Sequence, residues 1–325
     1  MGEGRHAYAY GRMEGTTTVL QPEAQTPMKL TFWGTRGSLP SPGRDTVRYG
    51  GNTPCVEVRL ANNNLLIFDA GTGLRGLGDA IMAAGGSLKA FLAISHPHWD
   101  HIQGFPFFKP AFVPGNELAI IGAQTRNITL RQMIASQMDQ VYFPVQLNEL
   151  KAKIRFIPVR EESVQVFEAT LSTMYLYHPA FALGFRLTAG GRSLVYITDN
   201  EPFDRTLAKT LKNVDKNIVD LYLLQKGDPN QRVFDFARGA DVLIHDATFT
   251  PEEYVNHVGW GHSDYLFALK VASEAEVKKL VLFHHDQTRS DDEVDEILST
   301  CRKEIALRGY RFECIAAAEG LELVW

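Results

Sequence analysis

Short apolar runs alternate with longer helix-like segments along most of the chain. The apolar runs that predict buried strands lie at residues 66–68, 91–94, 194–197 and 280–283. The helical candidates between them lie at 74–84, 129–139, 265–276 and 291–307. No linker-like composition interrupts this alternation, so we expect residues 28–325 to form one α/β (α+β) domain.

The first 27 residues differ from the rest, since they are polar, rich in Gly and Thr, and without periodicity. They lack the apolar core of a signal peptide, and we expect a mostly disordered tail or an element used in subunit contact. No run approaches the length of a membrane span. The only cysteines, Cys55, Cys301 and Cys314, are sparse and odd in number, which favours a reducing compartment and a cytoplasmic location.

Candidate chemistry is concentrated where the run 91–94 ends. His96, His98, Asp100 and His101 follow it within a few positions. Residues two apart in an extended segment point to the same side, so His96 and His98 share one direction. Asp100 and His101 follow after the chain turns and face a second point. A lone histidine would mean little, but this complete string predicts two neighbouring metal ions.

Three further strand-like segments end in side chains that bind metals, at His178, Asp199 and the pair His284-His285. A histidine or aspartate after a strand is more often a cap or turn residue. Four such ends in one chain are harder to assign to chance. His284 is favoured over His285 because it directly follows the apolar run, although the neighbour stays an alternative.

These residues, in this order, resemble those of the metallo-β-lactamase-fold hydrolases. The resemblance covers residues 29–325 and implies a four-layer αββα sandwich. It also implies two metal ions, with these ligands: His96, His98 and His178 for one ion, Asp100, His101 and His284 for the other, and Asp199 bridging both. Asp69, after the run 66–68, matches the family's early aspartate, which braces the ligand loop.

The implied ligands are imidazoles and carboxylates, without a thiolate. This set suits Zn²⁺, with Mn²⁺ or Fe²⁺ as alternatives. Two such ions lower the pKa of a bound water to about 7, which makes hydroxide available for hydrolysis at neutral pH. Oxygen-reducing relatives carry Glu where this chain has His98, so redox chemistry is not indicated.

Two further motifs concern the substrate. The string His-Asp-Ala-Thr at 245–248 resembles the "HEAT" box of the ribonuclease Z branch, and Gly-His-Ser-Asp at 261–264 resembles its "HST" box. The resemblance implies that His262 is the general acid and that Asp246 orients it, beside Asp100 as a further catalytic residue. Taken alone, His262 reads equally well as a surface histidine in a glycine-rich loop.

The glycine-rich loop 34–43 is a third motif. Such loops offer N–H groups to anions, and we expect Arg36 and Ser38 to contact a phosphate, although a tight connection is the commoner meaning of this pattern. The amino-acid sequences of this loop, of residues 98–108 and of residues 283–286 resemble those of a phosphodiesterase branch of the fold. That branch includes the phosphonate-pathway enzyme that acts on a small cyclic phosphate.

The charge balance bears on substrate size. The 325 residues carry 33 Lys and Arg against 38 Asp and Glu, a net charge of −5. A polynucleotide binder usually has a basic face. The mixed segment 204–238 reads as a lid, a dimer contact or a solvated helix face. A small phosphodiester, such as a cyclic nucleotide, is therefore favoured over tRNA.

Three alternatives stay open beside this leading hypothesis of a dinuclear phosphodiesterase. They are tRNA 3′ processing, acyl hydrolysis of a lactone, thioester or β-lactam, and a non-catalytic nucleotide-sensing scaffold. A homodimer is compatible with the sequence. Substrate recognition is expected from the loops 110–116 and 139–150.

Overall fold

The computed structural model describes residues 27–125, 127–204, 216–224 and 226–325. Strands β1 to β6 of the first sheet are Lys29–Gly34, Cys55–Arg59, Leu65–Phe68, Lys89–Ile94, Glu117–Gly122 and Lys153–Pro158. Strands β7 to β13 of the second sheet are Ser163–Val166, Ala169–Tyr175, Leu183–Ala189, Arg192–Ile197, Val242–Asp246, Lys279–Phe283 and Glu313–Ala316. The last strand, β14 (Glu322–Val324), returns to the first sheet beside β1.

Both sheets are mixed, and the parallel part of each one matters for function. The first sheet has the order β14-β1-β2-β3-β4-β5-β6, and the second has the order β13-β12-β11-β10-β9-β8-β7. Strands β3 to β6 pair in parallel, as do β10 to β13. Parallel strands end at the same edge of a sheet, so the loops after β3, β4, β10, β11 and β12 can meet.

The described helices α1 to α8 are Gly73–Ala84, Trp99–Ile102, Leu130–Ser136, Lys216–Leu223, Gln231–Ala237, Pro251–Tyr254, Tyr265–Glu274 and Asp291–Arg308. Three buried apolar clusters lie between the layers and hold them together. One joins α1 and α3 to the first sheet, one lies between the sheets, and one joins the second sheet to α4, α5, α7 and α8. This arrangement confirms the expected four-layer αββα sandwich.

The core between the sheets explains why several strands are apolar along their whole length. In β3, Leu65, Leu66, Ile67 and Phe68 are all buried, because one face packs on helices and the other on the second sheet. Phe68 stacks on Tyr196 of the second sheet with ring centroids 5.1 Å apart. This contact fixes the two sheets at the end where the polar loops begin.

The predicted elements are found close to their expected positions. The third helix is shorter than the predicted 129–139. It begins at Leu130 because Thr129 is its N-cap and forms a capping box with Gln132, and it ends at Ser136. Apart from Pro27, the predicted tail lies outside the described residues, as do 205–215 and 225 of the segment 204–238. The domain bounds 28–325 stay a prediction. None of the helices that the structure describes is both long and apolar enough to cross a bilayer.

Candidate active site

The polar strand ends converge at one edge of the sandwich. Asp69 follows β3, His96 follows β4, Asp199 follows β10, Asp246 ends β11, and His284 follows β12. All five are buried. The first sheet therefore supplies one half of the site and the second sheet supplies the other.

Several of these turns adopt left-handed backbone conformations. The φ angles of Asp69, Asp199 and His284 are 59°, 36° and 60°, and that of nearby Ser38 is 63°. Non-glycine residues rarely take such angles, and they collect where surrounding structure holds them for a functional geometry. The turns redirect each side chain from its strand toward a common centre.

The first group of side chains that could hold a metal ion comprises His96, His98, His178 and Asp199, with candidate ligand atoms within 4.8 Å of one another. The Nε2 atom of His178 lies 3.2 Å from Nδ1 of His98. The Nε2 atom of His96 lies 3.4 Å from Oδ2 of Asp199. The structure thus brings together four side chains that the sequence placed in three separate segments.

The second group comprises Asp100, His101, Asp199 and His284. The Nε2 atoms of His101 and His284 lie 3.2 and 3.1 Å from Oδ1 of Asp199. The same two atoms lie 3.2 and 3.3 Å from Oδ2 of Asp100. Asp199 belongs to both groups and directs a different oxygen toward each, which is the geometry of a bridging carboxylate.

Hydrogen bonds orient the imidazoles so that one nitrogen of each faces the centre. The Nδ1 atom of His101 lies 2.8 Å from Oδ2 of Asp69, and Nδ1 of His178 lies 2.9 Å from the carbonyl of Gly261. Both partners are acceptors, so each Nδ1 carries a proton and each Nε2 is directed toward the centre. Asp69 also accepts hydrogen bonds from Ser95 and Tyr196, which fix the carboxylate.

Burial and charge set protonation states that suit metal binding. Burial lowers the pKa of His178 to about 3 and holds that of His96 well below its usual range, so both are neutral. Burial alone would raise the pKa values of Asp100 and Asp199, but the neighbouring imidazoles hold both well below the usual range. Burial would lower the pKa of His101, but the carboxylates of Asp100 and Asp199 outweigh this effect and raise it well above its usual range. The first group therefore offers neutral nitrogens, and both groups offer ionised carboxylates.

The buried polar atoms of the site fit divalent cations. The Nε2 atoms of His96 and His101 are buried without a hydrogen-bond partner. An unpaired buried polar atom is costly, and a divalent cation would satisfy both nitrogens. Nitrogen and carboxylate oxygen together form a set that Zn²⁺, Mn²⁺ and Fe²⁺ accept.

A further histidine lies next to these groups. The Nδ1 atom of His262 lies 3.0 Å from Oδ2 of Asp246, and its ring stacks on His284 at 4.9 Å. Burial lowers the pKa of His262, but the carboxylates of Asp246 and Asp199 outweigh this effect and raise it to about 9. Asp246 is held in turn by Thr248, whose hydroxyl donates to its Oδ1 atom.

Sequence reasoning did not single out Glu201, which shapes the loop that carries His262. Its buried carboxylate accepts hydrogen bonds from the backbone N–H groups of Gly259 and Gly261, at 2.6 and 3.0 Å, and from the hydroxyl of Tyr254. Gly261 has φ +88°, and a Cβ there would lie 2.2 Å from Nδ1 of His178. The one signal in the sequence that pointed to Glu201 was its position two residues after Asp199.

The structure contradicts the expected substrate role of Arg36. Its side chain is fully buried, with Nε donating to the carbonyl of Gly50 at 2.7 Å and Nη1 to that of Arg289 at 2.5 Å. Nη2 lies 3.4 Å from the buried carboxylate of Asp291. The expectation for Arg36 is therefore wrong, because its donors tie the glycine-rich loop to the start of α8.

Neither Ser38 nor His285 belongs to the candidate ligand groups. The backbone N–H of Ser38 donates to Oδ2 of Asp100 at 2.8 Å, while its side chain is exposed. A phosphate contact by Ser38 stays a prediction. The Nε2 atom of His285 donates to the carbonyl of Ala317 at 2.9 Å, away from both groups. Of the two neighbours, only His284 belongs to a candidate ligand group.

Comparison with known proteins agrees with this geometry. A family model described as a beta-lactamase superfamily domain matches residues 64–232, more than half of the chain. The chain belongs to the β-lactamase superfamily. The match spans the His96–His101 string and continues beyond Asp199. Together with the fold and the clustered ligands, it confirms the expectation of a metal-dependent hydrolase.

Individual relatives and structures are similar over nearly the whole chain. A ribonuclease Z of Thermoplasma acidophilum is 27% identical over 306 residues, which cover 85% of this chain and 92% of that protein. The metallo-β-lactamase-fold protein YhfI of Bacillus subtilis aligns with a TM-score of 0.63 and 20% identity, over 92% and 100% of the two chains. A diphosphatase of the PhnP family aligns with a TM-score of 0.60 and 16% identity, over 91% and 97%. The two structural matches show a shared fold.

The metal centre can be tested by exchanging the two neighbouring histidines. His284→Gln should lower the metal content from two ions per chain toward one, because it removes a nitrogen of the second group. His285→Gln should leave two ions, since glutamine can still donate to Ala317. Elemental analysis of both purified variants against the unchanged chain measures this, and equal loss in the two would contradict the assignment.

The structural role of Arg36 predicts a loss of stability. Arg36→Ala removes the buried cation beside Asp291 and leaves only the half-exposed Arg48, 3.9 Å away, which should lower the free energy of unfolding by about 3–5 kcal/mol. Exposed Arg44, in the same segment, is the matched control, and Arg44→Ala should change it by less than about 0.5 kcal/mol. Urea unfolding followed by circular dichroism measures both. Indistinguishable curves would show that the buried contacts of Arg36 contribute little.

Proposed function

We propose that this chain is a dinuclear metal-dependent phosphodiesterase that hydrolyses a small phosphodiester. The observation that carries the proposal is the His262–Asp246 pair at the edge of the ligand groups, where Asp246, His262 and His284 form a third cluster. Cleaving a P–O bond to an alcohol releases an alkoxide that needs a proton, which a positioned histidine can provide. Acyl hydrolysis at such a centre does not require this second histidine.

The proposed metal ligands are those that the geometry groups. His96, His98 and His178 would hold one ion, Asp100, His101 and His284 the other, and Asp199 would bridge them. Bound divalent ions supply Lewis acidity toward the phosphoryl oxygens and lower the pKa of a water molecule. We propose Zn²⁺ as the occupant, with Mn²⁺ or Fe²⁺ as alternatives. A cytoplasmic location and a homodimer stay predictions.

Protein side chains control the proton that reaches the leaving group. His262 Nδ1–H donates to Asp246, so the second ring nitrogen is left to hold the transferable proton. The raised pKa of His262 keeps this proton on the ring at neutral pH. Asp246 stays ionised because the neighbouring imidazole opposes the effect of burial on its pKa. Glu201, through Gly259 and Gly261, keeps the loop of His262 against His178.

A ribonuclease acting on tRNA is the second candidate. It is favoured by the name of the relative that is 27% identical, a ribonuclease Z. It is disfavoured by the excess of 38 acidic over 33 basic residues, because phosphate contacts by Lys and Arg dominate polynucleotide affinity. Efficient processing of a precursor tRNA transcript at physiological salt, with slow turnover of small diesters, would establish this candidate instead.

The role of His262 is tested by the leaving group. His262→Ala should lower turnover of a diester with an alkyl leaving group by about 10²–10⁴. For a 4-nitrophenyl leaving group the loss should be much smaller, because nitrophenolate departs without a proton. Metal content should stay at two ions per chain.

The matched control is His257, a half-buried histidine outside the candidate ligand groups, whose ring stacks on Phe249. His257→Ala should leave both rates nearly unchanged. An equal loss for both leaving groups in His262→Ala would remove His262 as the general acid. Turnover of neither diester by the metal-loaded unchanged chain would refute the proposed function itself.

A further inference from the structure

A large cleft opens directly beside the first ligand group. Its volume is about 940 Å³, and His96, Pro97 and Trp99 form the wall that it shares with the metal centre. Ala180 and Phe181, shortly after His178, contribute to a second wall. A substrate whose phosphate reached the metal centre could therefore extend into this cleft without leaving the protein surface.

Aliphatic side chains are the most numerous in the lining, and five Trp, Tyr and Phe side chains lie among them, several of which are exposed. Trp99, Phe107 and Tyr142 are 78%, 55% and 80% exposed, and Phe143 and Phe181 lie beside them. The rings of Phe107 and Phe143 meet edge to face at 5.3 Å. Exposed apolar side chains gathered in one concave surface mark a binding site more often than scattered ones do.

The described lining carries no Lys, Arg, Asp or Glu side chain. Its polar members include the amides of Gln103, Gln132 and Gln137. Gln103 donates to Thr53 and Gln132 accepts from Thr129, whereas the buried Nε2 atom of Gln137 has no hydrogen-bond partner. A run of nucleotides would place further phosphates here and would require cations. A neutral ring with hydrogen-bonding edges matches this combination of aromatic faces and amides better.

We propose that this cleft binds the neutral aromatic group of the substrate, a ring system of nucleobase size attached through a sugar to the reacting phosphate. The inference rests on the proposed function, because the phosphate anchors the substrate at the metal centre. Phe107 and Tyr142 contact the ring, and Trp99 closes the side toward the ligands. The substrate class is then a mononucleotide diester with a single phosphate, such as a cyclic nucleotide.

The test compares two cyclic phosphates that differ only in the base. Adenosine 3′,5′-cyclic phosphate carries the ring, and methyl riboside 3′,5′-cyclic phosphate lacks it. In the double variant Phe107→Ala/Tyr142→Ala, KM for the adenosine compound should rise about tenfold or more through lost stacking. KM for the methyl riboside should stay within about twofold, since the side chains of Phe107 and Tyr142 would contact the base and not the phosphate.

Leu307→Ala is the control, because Leu307 is 81% exposed on α8 and does not line the cleft. It should leave both KM values unchanged. Equal changes for the two cyclic phosphates in the double variant, or no change for either, would overturn the inference. Tighter inhibition by octyl phosphate than by phenyl phosphate would also overturn it, in favour of an alkyl group.

A binding measurement separates this inference from the proposed function. Equilibrium dialysis with adenosine, which carries no phosphate, should show binding to the metal-loaded chain and at least tenfold weaker binding to the double variant. If no diester is hydrolysed but this difference is found, the proposed function fails and the cleft assignment stands. If diesters are hydrolysed but adenosine binds both proteins equally or neither, the cleft assignment fails alone.

Discussion

The buried carboxylate of Asp199 is the point on which the whole site depends. One oxygen faces His96 and the other faces His101 and His284, at 3.1 to 3.4 Å. An ionised carboxylate is stable in such a buried place only with compensating positive charge, which the surrounding imidazoles supply when they are protonated. Two divalent cations would supply the same charge and leave the imidazole nitrogens free to act as ligands. The ligand arrangement and the fold are thus coupled, because the residues around Asp199 come from both sheets.

The surroundings of Asp199 show how much structure is devoted to orientation. Asp69 fixes the tautomer of His101, and Gly261 fixes that of His178 through its carbonyl. A Cβ at Gly37 would lie 2.3 Å from the ring of His284, so only glycine allows this loop to pack there. These contacts hold unusual backbone angles in place, as expected where a rigid donor arrangement must be preorganised.

Local patterns predicted the strands and the polar side chains at their ends, whereas the sandwich and the grouping of the ligands were implied by the resemblance to the metallo-β-lactamase-fold hydrolases. The choice of His284 over His285 followed from the same rule, and the structure places only His284 in a ligand group. The role of Arg36 was not predictable, since its partner Asp291 lies 255 positions away. Glu201 was missed for a similar reason, because its carboxylate bonds the loop near Gly259 and Gly261.

The site and its neighbouring cleft divide substrate recognition between charge and shape. The ligand groups carry ionised Asp100 and Asp199, so an anion approaches only when cations reverse the local charge. Beyond His96 the described lining consists of aliphatic, aromatic and uncharged polar side chains. With an overall charge of −5, the chain offers no general attraction to a polyanion. In the proposed scheme a single phosphate next to one planar group satisfies both regions, whereas an additional phosphate would meet a described lining without Lys or Arg side chains.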